Sequence, residues 1–226
     1  ITAKLGSEHT INISYVEGQN VFTVCDSGCS YNDLDTCLYV INGTNSTCII
    51  LQDSAKTYYL TDTYYLSSYD GSSIIVNSTA PITIDCQFNT IYSIEKNNTL
   101  FNITNVNDVT IKNCIISYRY NPFKISFYID NSTNISLYNI TVDNGGDCTY
   151  DHILAYDSSN INLVNFSSNP TCANNGMVRL YNISNFNANI LNIKCGLIVS
   201  GNACTINALV DTVKYINFVC NNSIIR

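Results

Sequence analysis

The chain has few charged residues and no tryptophan, and these absences exclude several classes of function. Lysine and arginine together number only ten of 226 residues, they form no cluster, and the net charge is −7. A nucleic-acid-binding surface needs concentrated positive charge to displace the counterions of the phosphate backbone, so nucleic-acid binding is not expected. No apolar run reaches the roughly 18 residues that would span a bilayer, so no membrane span is expected.

Metal-binding residues are equally sparse, because His9 and His152 are the only histidines and no Cys-x-x-Cys pair is present. Zinc sites are commonly built from such pairs, so neither a zinc site nor any other cofactor is expected. Eleven cysteines nevertheless remain to be explained: Cys25, Cys29, Cys37, Cys48, Cys86, Cys114, Cys148, Cys172, Cys195, Cys204 and Cys220. They favour an oxidising compartment, and their odd number leaves one thiol free or bonded to another chain.

Polarity comes mainly from Asn, Ser, Thr and Tyr, since charged residues make up only 12% of a chain that is 46% hydrophobic. That hydrophobic share is too high for a disordered chain. Ile, Val, Thr and Tyr fit the pleated, half-buried surface of a strand, and Asn fits turns because it tolerates left-handed backbone. The composition therefore predicts many short strands separated by Asn-rich corners.

An internal repeat organises residues 81–217. Six segments share a turn residue followed by apolar, polar and apolar positions, at intervals of 27, 26, 26, 25 and 27 residues. The first apolar residues of the segments are Ile82, Val109, Ile135, Ile161, Phe186 and Val213. The second apolar residues are Ile84, Ile111, Leu137, Leu163, Ala188 and Tyr215. A repeat this short suits one coil of a solenoid, so each set is expected to stack as a ladder inside the coils.

The repeat predicts an all-β fold, a right-handed parallel β-helix with about 26 residues per coil. A second strand precedes most repeats, as at residues 126–129, and Asn/Ser/Thr corners such as residues 104–107 join the two strands. Longer polar excursions are expected at residues 143–151 and 167–176. A β-sandwich is the alternative fold, but it does not predict a constant interval.

The predicted β-helix domain covers residues 24–226, and residues 1–23 form an extended N-terminal segment. That segment contains an alternating strand at residues 10–16, for which the sequence offers no partner. Because the first residue is Ile1 rather than Met, we expect a mature secreted chain whose signal peptide has been removed, although a trimmed chain would begin in the same way.

The Asn-x-Ser/Thr sequon, the acceptor motif for N-linked glycans, recurs along the whole chain. It occurs at Asn12, Asn42, Asn45, Asn77, Asn97, Asn102, Asn131, Asn134, Asn139, Asn165, Asn182 and Asn221. Chance could supply several of these sequons in a chain so rich in Asn, Ser and Thr. Their number in a cysteine-containing chain still predicts N-glycosylation, although Asn42 and Asn45, like Asn131 and Asn134, are close enough to compete.

Three segments resemble the pectin-lyase-like β-helix superfamily: residues 24–34 (VCDSGCSYNDL), 56–60 (KTYYL) and 108–116 (DVTIKNCII). The first is similar to the entry segment of that superfamily, the second to its first coil strand and the third to its repeated coil. The resemblance covers roughly residues 24–220 and implies the parallel β-helix fold. It leaves function open, because lyases, hydrolases, adhesins and structural proteins share this fold.

The catalytic motifs of that superfamily are missing from the sequence. Its hydrolases carry Asp clusters with Gly-His-Gly and Arg-x-Lys motifs, and its lyases carry a basic residue beside a calcium-binding Asp cluster; neither pattern occurs here. Asp85, Asp108 and Asp130 lie near predicted corners, where a chance carboxylate pair competes with ordinary turn residues. Residues 143–147 (DNGGD) offer oxygens to calcium without the spacing of an EF-hand. No enzyme activity and no catalytic, cofactor-binding or metal-binding residue is therefore predicted.

Two other features have a structural interpretation in addition to a functional one. His152 begins an apolar strand and has no serine motif nearby to activate, which favours a structural role. A cluster of tyrosines could stack on sugars, but strand propensity explains it more simply. Its members are Tyr58, Tyr59, Tyr64, Tyr65 and Tyr69.

The positions of the cysteines suggest a set of disulfides, although connectivity cannot be derived from sequence alone. The proposed pairs are Cys25 with Cys29, Cys37 with Cys48, Cys86 with Cys114 and Cys148 with Cys172. Cys195, Cys204 and Cys220 compete for one further bond.

Together these features predict a secreted structural glycoprotein that forms a filament, sheath or surface coat. A β-helix exposes unpaired backbone groups at its ends, so we expect end-to-end homopolymers in which the N-terminal strand or first coil adds to the C-terminal coil of a neighbour. A monomer capped by its own N-terminal strand is the alternative assembly. An adhesin or carbohydrate-binding module, a divergent polysaccharide lyase or hydrolase, and a virion surface protein are the alternative functions.

Overall fold

The structure is a computed structural model that describes residues 2–5, 9–12, 20–66, 71–93, 99–118, 125–144, 151–170, 177–201, 205–220 and 224–225. In chain order the first strands are β1 Thr2–Leu5, β2 His9–Asn12, β3 Asn20–Val24, β4 Ser46–Ile50, β5 Lys56–Tyr59, β6 Tyr64–Leu66, β7 Ser72–Val76, β8 Ile82–Asp85, β9 Thr90–Ser93 and β10 Thr99–Thr104. They are followed by β11 Asn107–Tyr118, β12 Ile125–Asp130, β13 Thr133–Asn144, β14 Asp151–Tyr156, β15 Ser159–Pro170, β16 Met177–Tyr181, β17 Asn185–Gly201, β18 Thr205–Cys220 and β19 Ile224–Ile225. The helix α1 covers Leu34–Ile41, between β3 and β4.

The strands from β3 onward stack in three parallel rows, which confirms the predicted β-solenoid. The first row contains β3, β4, β7, β10, β12, β14 and β16. The second row contains β5, β8 and the first halves of β11, β13 and β15, and the third contains β6, β9 and their second halves. Paired residues in these rows are about 26 positions apart. From β4 to β15, each coil therefore contributes one strand segment to each row.

The two predicted apolar ladders are confirmed from the second coil to Phe186. In the first ladder Ile82, Val109, Ile135, Ile161 and Phe186 pair in succession, and each is buried. The second ladder, Ile84 to Ala188, pairs in the same order and is also buried. Period-two alternation turns both sets inward, because they are two positions apart on each strand.

The last predicted member of each ladder, Val213 in the first and Tyr215 in the second, is wrong. Phe186 pairs with Ile206 and Ala188 with Ala208, whereas Val213 pairs with Ile193 and Tyr215 with Gly196. The interval between paired residues of β17 and β18 falls to about 20, and the register shifts at several points. A coil this short moves residues 212–217 out of the second row, although their sequence pattern matches the longer coils.

The sequence also missed the third row of strands. Residues 143–151 were expected to form an excursion, but Asp143 and Asn144 complete β13 and Asp151 begins β14. The second predicted excursion starts late as well, because residues 167–170 end β15. Residues 145–150 and 171–176 lie outside the described residues. Each long strand contains a turn-forming Asn, and in the sequence such an Asn indicates the end of a strand. The part of the strand after that Asn was therefore missed.

An amphipathic helix, also missed from the sequence, closes the N-terminal end of the core. Leu34, Cys37, Leu38 and Ile41 recur at helical spacing, and all four are buried in α1. The helix packs against β3, β4, β5 and β6, which lie at the N-terminal end of the three rows. Within the described residues no helix is both long and apolar enough to cross a lipid bilayer.

The helix also satisfies polar groups at the lower edge of the third row. Asp35 accepts hydrogen bonds from the amide and hydroxyl of Thr61 at 2.7 and 2.6 Å. Just after the helix, Asn42 Oδ1 accepts from the amide of Tyr65 at 2.8 Å, and the amide of Gly43 donates to the carbonyl of Tyr65 at 2.7 Å. Backbone groups that a preceding coil would otherwise bind are therefore already paired.

The N-terminal segment has a local partner that the sequence did not reveal. β2 pairs antiparallel with β1, so that Thr2 lies opposite Asn12 and Leu5 opposite His9. Residues 13–19 lie outside the described residues. The strand β3 begins at Asn20 and pairs with β4, so the paired coils start a few residues before the predicted domain boundary at residue 24.

The ladders predict a sharp contrast between neighbouring residues of β13. Leu137 is fully buried, whereas Tyr138 is 45% exposed on the opposite face. Leu137→Ala is expected to lower the free energy of unfolding by about 2–5 kcal/mol, because it removes buried methyl groups and leaves a cavity. Tyr138→Ala, the matched control, should cost less than about 1 kcal/mol in chemical denaturation. Equal costs at the two positions would contradict the inward ladder.

Candidate functional site

The corners of the coils are occupied by Asn and Asp residues in left-handed backbone conformation. The Asn and Asp residues with a positive φ, all of 45–59°, are Asn105, Asp108, Asn113, Asn131, Asn134, Asn139, Asp157, Asn160, Asn165 and Asn182. Other L-residues pay about 1–2 kcal/mol to adopt this conformation, whereas Asn and Asp reach it more readily because their short side chains bond locally. The predicted Asn-rich corners are thus confirmed, and their repetition has a backbone cause.

The corner residues of one column are joined by their side chains. Asn113 donates from Nδ2 to Oδ1 of Asp85 at 2.9 Å, Asn139 donates to Asn113 at 3.0 Å, and Asn165 donates to Asn139 at 2.7 Å. Asn113 and Asn139 thus each give one N–H to the coil below and accept one from the coil above. This column lies between the second and third rows of strands.

A second column repeats the arrangement near the start of the second row. Asn134 donates to Asp108, Asn160 to Asn134, and Asn185 to Asn160, each over 2.8 Å. Both columns begin with an aspartate at their N-terminal end. A carboxylate accepts but cannot donate, so it suits the first position of a column in which every other member donates downward.

The third column, between the first and second rows, is interrupted. Asn131 donates to Asn105 at 2.7 Å and Asn182 donates to Asp157 at 2.6 Å. Asp157 has no N–H group to donate to Asn131, so the column consists of two separate pairs.

Of the three aspartates near predicted corners, Asp85 and Asp108 belong to the corner columns. Burial disfavours the charged form of Asp85, but the donors Asn113, the Gln87 amide and Lys112 outweigh it and hold the pKa of Asp85 below its usual value. The Nζ of Lys112 lies 3.2 Å from Asp85 Oδ2. Asp108 begins the second column, and Asp130 ends β12 in the first row. The three residues thus occupy different strand ends.

The described sequons fall on outward-facing positions of the coils. Among their asparagines, the exposed ones are Asn42, Asn131, Asn134, Asn165 and Asn182. The half-buried ones are Asn45, Asn77, Asn102 and Asn139. The backbone of Asn12 belongs to β2, whereas Asn97 and Asn221 lie outside the described residues. Whether any of them carries a glycan stays a prediction.

The coil geometry supplies a reason for the sequon pattern that sequence reasoning missed. A corner Asn is followed by an inward apolar residue and then by an outward polar one, as in residues 134–136 (NIS) and 139–141 (NIT). The middle residues Ile135 and Ile140 are fully buried. The residue order that forms a corner is therefore also a sequon whenever the outward residue is Ser or Thr.

Three of the proposed disulfides are confirmed. Cys25 bonds Cys29, Cys37 bonds Cys48 and Cys86 bonds Cys114. The first closes the loop after β3, the second joins α1 to β4, and the third joins two successive coils. Cys148, Cys172 and Cys204 lie outside the described residues. The side chains of Cys195 and Cys220, in β17 and β18, are not described.

The predicted tyrosine cluster does not form one surface patch. Tyr58 and Tyr64 are buried in the core, and Tyr59 is exposed. Tyr65 stacks on Tyr92 with ring centroids 4.9 Å apart and an angle of 9° between the planes. Tyr69 lies outside the described residues. Stacking covers one face of each of these two rings.

Titratable groups converge at the start of β14 and β16. Arg179 Nε lies 3.2 Å from Asp151 Oδ1, and burial raises the pKa of Asp151. The neighbouring His152 is fully buried, and burial lowers its pKa to about 4. Within the described part of the chain, no group of three or more His, Cys, Asp or Glu side chains could hold a metal ion. Of the candidate calcium segment, residues 145–147 lie outside that part.

The corner columns predict different costs for two substitutions of Asn160, which is not part of a sequon. Asn160→Gly removes its side-chain hydrogen bonds but accepts the positive φ of 53°. Asn160→Ala removes the same bonds and strains the backbone, so it should lower the free energy of unfolding by a further 1–2 kcal/mol or so. Chemical denaturation of the two variants measures the difference, and a more stable Ala variant would contradict the account.

His152 predicts a loss of stability in mild acid. Burial lowers its pKa from the ordinary value of 6.5 to about 4, so between these values the unfolded chain takes up a proton that the folded chain does not. The wild type should therefore lose up to about 3 kcal/mol as the pH falls through this window. His152→Gln retains Asp151, so subtracting its pH profile isolates the histidine. Parallel profiles of variant and wild type would refute the burial argument.

Comparison with protein-family models, curated proteins and solved structures finds no match to this chain. The resemblance to the pectin-lyase-like superfamily therefore stays a prediction.

Proposed function

We propose that the chain is a structural glycoprotein of an extracellular surface, filament or sheath, in which the solenoid acts as a rigid rod. The observation that carries this proposal is the pair of corner columns, from Asp85 to Asn165 and from Asp108 to Asn185. Their polar side chains are engaged with one another along the solenoid axis. Side chains used in this way stiffen the coil stack rather than reach outward to a substrate.

The disulfides support an oxidising environment for the protein. All six described cysteines whose side chains are placed form intrachain bonds. Disulfides persist in secreted and cell-surface proteins and are rare in the reducing cytosol. They also limit unfolding of the N-terminal coils, where two of the three bonds lie.

The exposed sequons support glycans on the flanks of the rod. Asn131, Asn134, Asn165 and Asn182 lie at exposed corners, and the donated hydrogen bond of each uses one of the two N–H groups of Nδ2. A glycan replaces one N–H, so attachment is compatible with retention of the column. Glycans at these corners would project sideways and would hinder lateral aggregation.

For assembly, we favour a head-to-tail contact made by the N-terminal hairpin of β1 and β2. α1 and the residues after it already occupy the N-terminal end of the core and the lower edge of β6. The first coil is therefore a poorer contact than the hairpin, each strand of which has a second edge. Strand addition by the hairpin to a neighbouring coil would give an open, unlimited polymer.

Electron microscopy of native material, before and after enzymatic removal of N-glycans, tests this proposal. We expect filaments or an ordered coat, a mass loss on glycan removal, and increased bundling of the stripped material. A control in which residues 1–12 are deleted should yield single rods. Uniform monomers from the native source, or filaments that survive the deletion, would contradict the proposed contact.

A further inference from the structure

β3 is the first strand of the first row, and its lower edge is the one that faces away from β4. This edge is occupied by the chain itself. The amide of Thr23 donates a hydrogen bond to Ser30 Oγ at 3.2 Å, and the carbonyl of Thr23 accepts one from the amide of Tyr31 at 3.0 Å. The amide of Cys25 donates to the carbonyl of Tyr31 at 3.1 Å. Since Val24 O binds the amide of Leu51 on the opposite side, these groups point away from β4.

Residues 25–31 imitate the strand of a preceding coil. Val24 and Tyr31 form a parallel bridge, the same sense as every pairing in the first row. Both bonds of that bridge come from Tyr31, one donated to Thr23 and one accepted from Cys25. The aromatic rings of Tyr31 and Phe22 lie 5.7 Å apart, so the imitation includes a side-chain contact.

The return of the chain depends on a short closed loop. The disulfide between Cys25 and Cys29 ties the loop together, and Gly28 supplies a φ of +80° that other residues rarely adopt. Cys25 and Cys29 also pack against Ile49 and Leu51, outside the main core. Opening this disulfide would free the segment that places Ser30 and Tyr31 beneath β3.

We propose that the lower edge of β3 is a strand-addition surface for a second copy of this chain, kept closed by the loop of residues 25–31. The other strands of the first row are paired on both edges, but the row continues through the second halves of β17 and β18, and among the described residues the second half of β18 pairs only with β17. That terminal strand of another copy fits this surface, because it also pairs in parallel. Phe22 pairs with Cys48 and Val24 with Ile50, and these columns continue to Ile74 and Val76. The second half of β18 from another copy would extend the row downward from β3.

The proposal is independent of the hairpin contact, because it concerns an edge that the native loop blocks. It assigns a purpose to the loop: natural β-proteins cover exposed edges to prevent uncontrolled strand addition. An intact loop leaves β3 closed, and cleavage of its disulfide by a thiol reductant opens it. Reduction of this disulfide would then make the lower edge of β3 available for pairing with a strand of a second copy.

The test compares two double variants of the full chain that each lack one disulfide. Cys25→Ser with Cys29→Ser opens the loop, and Cys86→Ser with Cys114→Ser is the matched control within the coils. Light scattering over a range of protein concentrations measures association, and hydrogen exchange measures protection of the amides of residues 23 and 25. The loop variant should lose protection at those two amides, and its mass should rise with concentration toward that of a dimer or larger oligomer. The control should do neither.

Should the loop variant fail to fold, Tyr31→Pro replaces it, because proline lacks the N–H donated to Thr23 while the disulfide stays intact. The same rise in mass is expected. A folded variant with fast exchange at residues 23 and 25 that remains monomeric at every concentration would overturn the proposal. Equal association of the loop variant and the control would overturn it as well.

Discussion

Parallel pairing of equivalent residues in successive coils is the constraint on which the rest of the structure depends. It brings Val109, Ile135 and Ile161 over one another, so that each apolar side chain is covered by its own equivalents in the coils above and below. No single coil could bury these residues by itself, because its interior is open on both sides. The end coils therefore need another cover, and α1 supplies it at the N-terminal end by burying Leu34 and Leu38 against the first strands.

The corners follow from the same constraint. If the inward residues are to stay in register, the chain must turn at the same point in every coil, and a residue with left-handed backbone provides such a turn. Asn does this and also bonds its equivalent one coil away, as Asn139 does with Asn113 and Asn165. The side chain that permits the turn thus also links equivalent residues of successive coils and helps to hold their register. It also places an Asn before an inward apolar residue, which explains why sequons and corners coincide.

Much of this could be predicted from the sequence, because period-two alternation repeated at a constant interval has few structural solutions. Both ladders as far as Phe186 and Ala188 required only that pattern. The confirmed disulfides were suggested separately, by the positions of the cysteines. The third row was hidden because Asn113 and its equivalents are read as strand ends although the strand continues past them. Val213 was misplaced because a shorter coil changed its row, and local pattern does not report coil length. The role of Ser30 and Tyr31 beneath β3 depends on a return of the chain that no local signal announces.

Methyl–methyl contacts measured by nuclear magnetic resonance test the stacking of the coils most directly. Neighbouring strands in a row are about 4.8 Å apart, so selectively labelled methyl groups of Ile135 should show strong contacts to both Val109 and Ile161. Val109 and Ile161 are two coils apart and should show a far weaker contact with each other. Contacts in that order would establish that these residues form one continuous column. Absence of a contact between Ile135 and either neighbour in the folded protein would contradict the solenoid and everything derived from it.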